Sequence, residues 1–194
     1  MTADAPLVLA SASPRRRELL ARLGVPFEVV VSGVDESSTV ATDAPGLTAE
    51  LAERKARAVA ALRPDRIILG SDTVIDLDGR VLGKPESPDH ALAMLRDLRG
   101  RTHRVVTAVF VLDPATDTSH AGVAITMVTM RDVSDAELTA YIATGEPMDA
   151  AGAYTIQGGA AAFVIGVEGD LDTVIGLPTA LVRTLLAATT DHRH

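Results

Sequence analysis

A short apolar run that breaks into a proline-capped, arginine-rich helix start constrains this chain more than any other feature. Leu7 to Ala10 read as a strand, and Ser11-Ala12-Ser13-Pro14-Arg15-Arg16-Arg17-Glu18-Leu19-Leu20 follows directly. Ser13 is a preferred N-cap type and Pro14 fits the first helical position, so the chain opens as strand, tight turn and helix in immediate succession. First turns normally favour acidic residues, because the helix dipole leaves positive partial charge there. Three arginines at that end concentrate positive potential beside free backbone N–H groups and two hydroxyls. An anion, above all a phosphate chain, complements that combination. The alternative is a solvated basic helix start.

A second feature bears on that choice. Of the 18 cationic residues only Lys55 and Lys84 are lysines; there is no Asn, and Gln157 is the single Gln. Where exposed Lys has been almost wholly exchanged for Arg, a surviving Lys is a candidate for work Arg cannot do. A compact ammonium beside phosphate is such a role; chance survival is the other reading.

The rest of the chain predicts a mixed-sheet α/β domain. Phe27 to Val31 reads as a strand and Ser32 to Gly46 as a polar loop holding Asp35-Glu36. Leu47 to Arg63 reads as an amphipathic helix with Leu47, Leu51, Ala58, Val59 and Leu62 on one face, stopped by Pro64. Arg66 to Leu69 is a short strand leading into a Gly70-Ser71-Asp72-Thr73 corner, and Asp78-Gly79 is the preferred turn of a hairpin, Val74–Leu77 with Arg80–Leu82. Ser87-Pro88 starts a helix through Leu98. Two long strands follow, Thr102–Leu112 and Ser119–Arg131, and Ser134 with Glu137 forms a capping box. Ala161–Val167 and Thr173–Ile175 are predicted strands, Pro178 opens a helix to about Ala188, and the tail 189–194 is expected to be loose.

Composition removes several functions. The net charge of −8 argues against nucleic-acid binding through a basic surface, and a local Arg cluster in an acidic chain reads as a site. Without cysteine there is no disulfide, thiolate nucleophile or Cys-based zinc site. Met1-Thr2-Ala3-Asp4 lacks a basic segment and a signal-peptide apolar region, and no apolar run approaches membrane-spanning length, so a cytoplasmic location and no membrane partner are expected. No Walker loop, dinucleotide fingerprint, zinc-protease helix or nucleophile elbow is present. His90, His103, His120, His192 and His194 show no metal-ligand spacing, and two Tyr with three Phe are too few for a base-stacking platform.

What remains is an inventory of cations (Arg15, Arg16, Lys55, Lys84), carboxylates (Asp72, Glu36) and one neutral amide. Phosphoryl transfer needs positioning, charge neutralisation and an activated water. Asp72, placed at a strand-to-loop corner, can bind a divalent cation or take a proton from water; a turn-capping Asp is the competing reading. Asp35-Glu36 is otherwise a solvated acidic loop. Asp76 and Asp78 read as hairpin residues.

The ordered blocks Ser11–Leu20, Val34–Glu36, Leu51–Ala56, Gly70–Val74, Gly83–Pro85, Ala151–Gly158 and Val174–Pro178 resemble the Maf family of nucleoside-triphosphate pyrophosphatases, from Leu7 to about Leu186. The resemblance implies one domain over residues 1–194, an elongated mixed-sheet α/β fold akin to inosine triphosphatase, and a deep cleft between two lobes. It implies hydrolysis of a nucleoside triphosphate between the α and β phosphates, a divalent cation (Mg or Mn), a cytoplasmic location and a homodimer. By position, Asp72 corresponds to the proton acceptor, and Glu36 with Asp72 to the metal ligands. Arg16, Lys55 and Lys84, with Ser11 and Ser13, correspond to triphosphate contacts. Arg15, Thr73 and Gln157 match positions associated with substrate choice. Gln at that position marks the dTTP and UTP branch, and an amide complements the carbonyl and N3–H edge of uracil or thymine. Two stretches depart from the family pattern: Asp149-Ala150-Ala151-Gly152 lacks the usual Lys, and Gly159-Ala160-Ala161 follows Gln157-Gly158 where a bulky residue is common. Two other readings stand beside this one, a pyrophosphatase for modified or non-canonical nucleotides and a nucleotide-binding regulator of septum formation.

Overall fold

The computed structural model describes residues 7–36 and 39–191; the opening six residues, Ser37, Ser38 and 192–194 lie outside it. Seven strands form one mixed sheet in the order β2-β1-β3-β5-β6-β7, with β4 beside β3. The strands are β1 (Leu7–Leu9), β2 (Phe27–Val29), β3 (Ile68–Leu77), β4 (Arg80–Leu82), β5 (Thr102–Asp113), β6 (Thr118–Met130) and β7 (Val164–Glu168). The helices are α1 (Pro14–Ala21), α2 (Ala44–Ala60), α3 (Pro88–Leu98), α4 (Asp135–Ile142), α5 (Leu171–Ile175) and α6 (Thr179–Asp191). Parallel pairs (β1 with β2 and with β3) and antiparallel pairs (β3 with β4, β6 with β7) make the sheet mixed. No helix among the described residues is long and apolar enough to cross a membrane.

The chain divides into two compact units. The first takes the residues up to Asp72, Thr107–Ala124 and the chain from Gly176. Its core sets Val8, Ala10 and Ile68 of the sheet against Ala52, Ala56 and Val59 of α2. Small side chains bring α2 close to β3. A Cβ at Gly70 would stand 2.2 Å from the Ala52 carbonyl oxygen, so only glycine fits there. The second unit, Thr73–Val106 and Ile125–Ile175, packs Ile75, Leu95, Leu98, Val105, Val128 and Leu138 into its own core.

Local chemistry accounts for the element ends. Ser13 caps α1 by accepting from the Arg16 N–H, Ser87 caps α3, and Ser134 with Glu137 forms the expected capping box on α4. Asp78 (φ 53°) and Gly79 (φ 85°) form the hairpin turn, closed further by the Gly79 N–H on Asp76 Oδ1 at 2.7 Å.

Several expectations need correction. Helix α2 starts at Ala44, three residues early, because Asp43 Oδ1 accepts from the Gly46 N–H at 2.7 Å. Its buried face therefore carries Ala44, Thr48, Leu51, Ala52, Lys55, Ala56, Val59 and Ala60, while Leu62 lies beyond the helix and is exposed. The corner at Gly70-Ser71 does not exist: β3 runs unbroken to Leu77 and Asp72 sits in mid-strand. Thr173–Ile175 belongs to helix α5, whose start is held by Asp170 accepting from the Asp172 and Thr173 N–H groups. Gly159–Phe163 is a 3-10 turn, so β7 begins at Val164, and β2 ends at Val29. Finally, α6 continues to Asp191, so 189–191 are helical, while 192–194 lie outside the described residues.

Candidate active site

The charged candidates of the first unit come from β3 (Asp72), α2 (Lys55), α1 (Arg15, Arg16) and the loop before α2 (Glu36). Close packing at Gly70 brings the buried face of α2 against the strand, and Lys55 emerges from that face beside Asp72. Lys55 Nζ stands 2.6 Å from Asp72 Oδ1 and 2.7 Å from Glu36 Oε1. Lys55 and Asp72 are both buried, whereas the Glu36 side chain is 56 % exposed, so one ammonium joins an interior carboxylate to one facing solvent. The loop bearing Glu36 is tied to the same helix: Arg54 Nη2 donates to the Asp35 carbonyl (2.6 Å), and Glu50 accepts from the Val40 and Ala41 N–H groups (3.0 and 3.1 Å).

Burial pushes the Asp72 carboxyl above the ordinary carboxylate range, against the opposing pull of Lys55 and Arg16. Burial therefore makes Asp72 a stronger base than a surface Asp, while the adjacent cations work in the opposite direction. Burial likewise lowers the Arg16 guanidinium, opposed by Asp72 and Glu36, and it keeps its charge.

Arg16 is held in a definite orientation. Its Nε donates to the Gly176 carbonyl (2.9 Å) and its Nη1 to Ser11 Oγ (3.3 Å). Ser11 is buried and also accepts the Ser13 N–H at 3.2 Å, so both serines shape the helix start itself. Ser71 Oγ donates to the same Gly176 carbonyl at 3.2 Å. Arg15 is half-buried in the first turn of α1.

The second unit holds the remaining candidates. Lys84, exposed after β4, pairs with Asp149 at 3.0 Å. Thr73 follows Asp72 on β3 and is half-buried, and Gln157 is exposed on a turn after Tyr154. Ala150, in the stretch noted above as a departure from the resembled pattern, is buried. The structure thus brings Asp72 and Glu36 each into direct contact with Lys55, and joins Arg16 to Ser11. Ser71, Gly176, Glu50 and Arg54 were not among the sequence candidates. Glu50 and Arg54 flank Lys55 at helical spacing, but their partners in the 35–41 loop are invisible without the fold.

The family model described as Maf-like protein matches residues 6–189. This chain belongs to the Maf-like protein family. Among its relatives, a protein of Moorella thermoacetica named dTTP/UTP pyrophosphatase is 51% identical over 93% of each chain. Proteins with the same name from Pelotomaculum thermopropionicum and Deinococcus radiodurans are 45% and 49% identical, covering 93% of this chain and 94% and 91% of theirs. For a Maf-like protein, the seven motif blocks read in the sequence all fall inside the matched span.

Proposed function

We propose that this Maf-like chain hydrolyses dTTP and UTP between the α and β phosphates, releasing the nucleoside monophosphate and pyrophosphate. One observation carries the reaction: Asp72, a buried carboxylate, bonded at 2.6 Å to the buried Lys55 ammonium. A base and fixed cations on rigid elements are what phosphoryl transfer asks of a protein, since the chemistry is mostly positioning and charge neutralisation. Asp72 accepts the proton of the attacking water, and burial, by raising its pKa, strengthens it for that task. Lys55 and Arg16 offset negative charge on phosphate oxygens, with Arg16 pre-oriented by Gly176 and Ser11. The phosphate role of Lys84 and the base-choice roles of Arg15, Thr73 and Gln157 rest on the family resemblance. The pyrimidine preference is supported by the relatives' shared name and by the Gln157 amide, which donates and accepts at once.

The donor set can be tested against a divalent cation. Among the described residues no three His, Asp or Glu side chains assemble into a metal cage. Mg²⁺ at phosphate sites is commonly held by one or two carboxylates together with substrate oxygens. Asp72 and Glu36 fit that mode, a cation arriving on the nucleotide. When bound, it would neutralise triphosphate charge. A cytoplasmic location and a homodimer belong to the same proposal and rest on the resemblance.

The test is pyrophosphate release from UTP, dTTP, CTP, GTP, 7-methyl-GTP and ITP, with and without Mg²⁺ or Mn²⁺. Metal-dependent release mainly from UTP and dTTP is expected. Faster release from a purine triphosphate would keep the reaction and overturn the substrate. Binding without turnover of any nucleotide would overturn the enzyme reading in favour of a nucleotide-binding regulator.

A further inference from the structure

The turn that carries Gln157 is held by a carboxylate that the proposed reaction does not use. Thr155 to Gly158 form a tight turn closed by the Gly158 N–H on the Thr155 carbonyl at 3.2 Å, with Ile156 and Gln157 at its centre and Gln157 exposed. Glu146, in the 3-10 turn after α4, reaches both ends of it. Its Oε1 accepts from the Tyr141 hydroxyl at 3.1 Å and from the Thr155 hydroxyl. The Gly159 N–H donates to Oε2 at 3.1 Å and Oε1 at 3.2 Å. The Tyr141 hydroxyl in turn accepts the Thr155 N–H at 3.1 Å. A Cβ at Gly158 would fall 1.9 Å from Glu146 Oε1, so the carboxylate lies directly against the turn's backbone. Three donors converge on one charged acceptor, and hydrogen bonds to an ionised group are roughly twice as strong as neutral ones.

We propose that Glu146 is a positioning residue for base recognition: by clamping both ends of the 155–158 turn it fixes where the Gln157 amide meets the pyrimidine edge. The inference rests on the reading that Gln157 contacts the base. An amide must be placed in one orientation to donate and accept together, and an exposed turn apex has no such placement of its own. Tyr141 supports the clamp: burial pushes its pKa up to about 12, so its hydroxyl keeps the proton it donates to Glu146.

The experiment is steady-state kinetics of the full chain with UTP and with GTP. It compares Glu146→Ala, Glu146→Gln, Thr155→Val, Gln157→Ala and the Glu146→Ala/Gln157→Ala double variant. Glu146→Ala should raise the KM for UTP about tenfold and lower the UTP-to-GTP ratio of kcat/KM, with kcat within about twofold. Glu146→Gln should recover most of the loss, because its Oε1 still accepts. Thr155→Val, which removes one donor at nearly constant volume, should move the ratio the same way by less, and it carries the test if Glu146→Ala does not fold. The double variant should be no worse than Gln157→Ala alone, since Glu146 acts through Gln157. Additive losses, or an equal fall in kcat with both nucleotides, would overturn the proposal and leave Glu146 a structural residue. A ratio changed by Gln157→Ala but not by Glu146→Ala would overturn the clamp alone. A ratio unchanged in Gln157→Ala would overturn the base contact, and the clamp's purpose with it.

Discussion

At the scale of single residues, Asp72 shows what a sequence can and cannot say about a candidate catalytic group. Its identity as the candidate base was legible, because it stood in a motif block beside an apolar strand. Its setting was misread, because Gly70-Ser71 has the chemistry of a turn and is instead a site of close packing. The correction strengthens the case, since a mid-strand carboxylate is held more rigidly than one on a loop. Asp72→Asn removes the proposed proton acceptor but none of the proposed phosphate-binding cations. Turnover should fall by about 10²–10⁴-fold while UTP still binds, as isothermal titration alongside a pyrophosphate assay would show. Near-normal turnover would exclude Asp72 as the base. In the proposed reaction the ionised form is the active one, and burial raises its pKa. Activity is therefore lost as pH falls through a midpoint above the ordinary value of 3.8, and an acid limb of kcat/KM at or below 3.8 would contradict the assignment.

At the scale of elements, caps and turns were the most legible features. Ser13-Pro14, Ser87-Pro88, Ser134 with Glu137, and Asp78-Gly79 all act as their residue types predict, because each satisfies its bonds within a few residues. The Thr173–Ile175 run misled for the converse reason: its β-branched residues favour a strand, but Asp170 nucleates a helical turn. The face of α2 misled as well, because hydrophobicity alone chose Leu62 and passed over Lys55, which is buried for its partners. That face depends on Gly70. In Gly70→Ala the new methyl meets backbone at Ala52 and the Ala56 Cβ at 3.0 Å, neither of which can swing aside. We expect a loss of about 3 kcal/mol in urea unfolding, at the upper end of overpacking costs, together with reduced turnover as Lys55 moves from Asp72. A folded variant of unchanged stability would show that α2 and β3 can separate cheaply.

At the scale of the whole molecule, the sequence named the family and the mixed α/β class but was silent on the buried polar groups that tune each unit's stability. His103 is one of them. It was set aside in the sequence for lack of metal-ligand spacing, yet it is 2 % exposed in the core of the second unit, with Nε2 hydrogen-bonded to the Tyr154 hydroxyl at 2.7 Å. Its Nδ1 has no hydrogen-bond partner among the described residues. Burial lowers its pKa to about 4, so the folded chain keeps the ring neutral while the unfolded chain protonates it near 6.5. A depressed folded pKa gives stability that is complete above the unfolded value and drains away as pH falls toward the folded one. The window runs from about pH 6.5 down to about 4, and the loss across it is about 3 kcal/mol. Urea unfolding at pH 7 and at pH 4.5 should show this loss in the parent chain. His103→Phe, which cannot titrate, should begin less stable because Tyr154 loses its partner, yet fall less steeply between the two values. Parallel losses in parent and variant would mean that surface carboxylates, and not His103, set the acid limit of this fold.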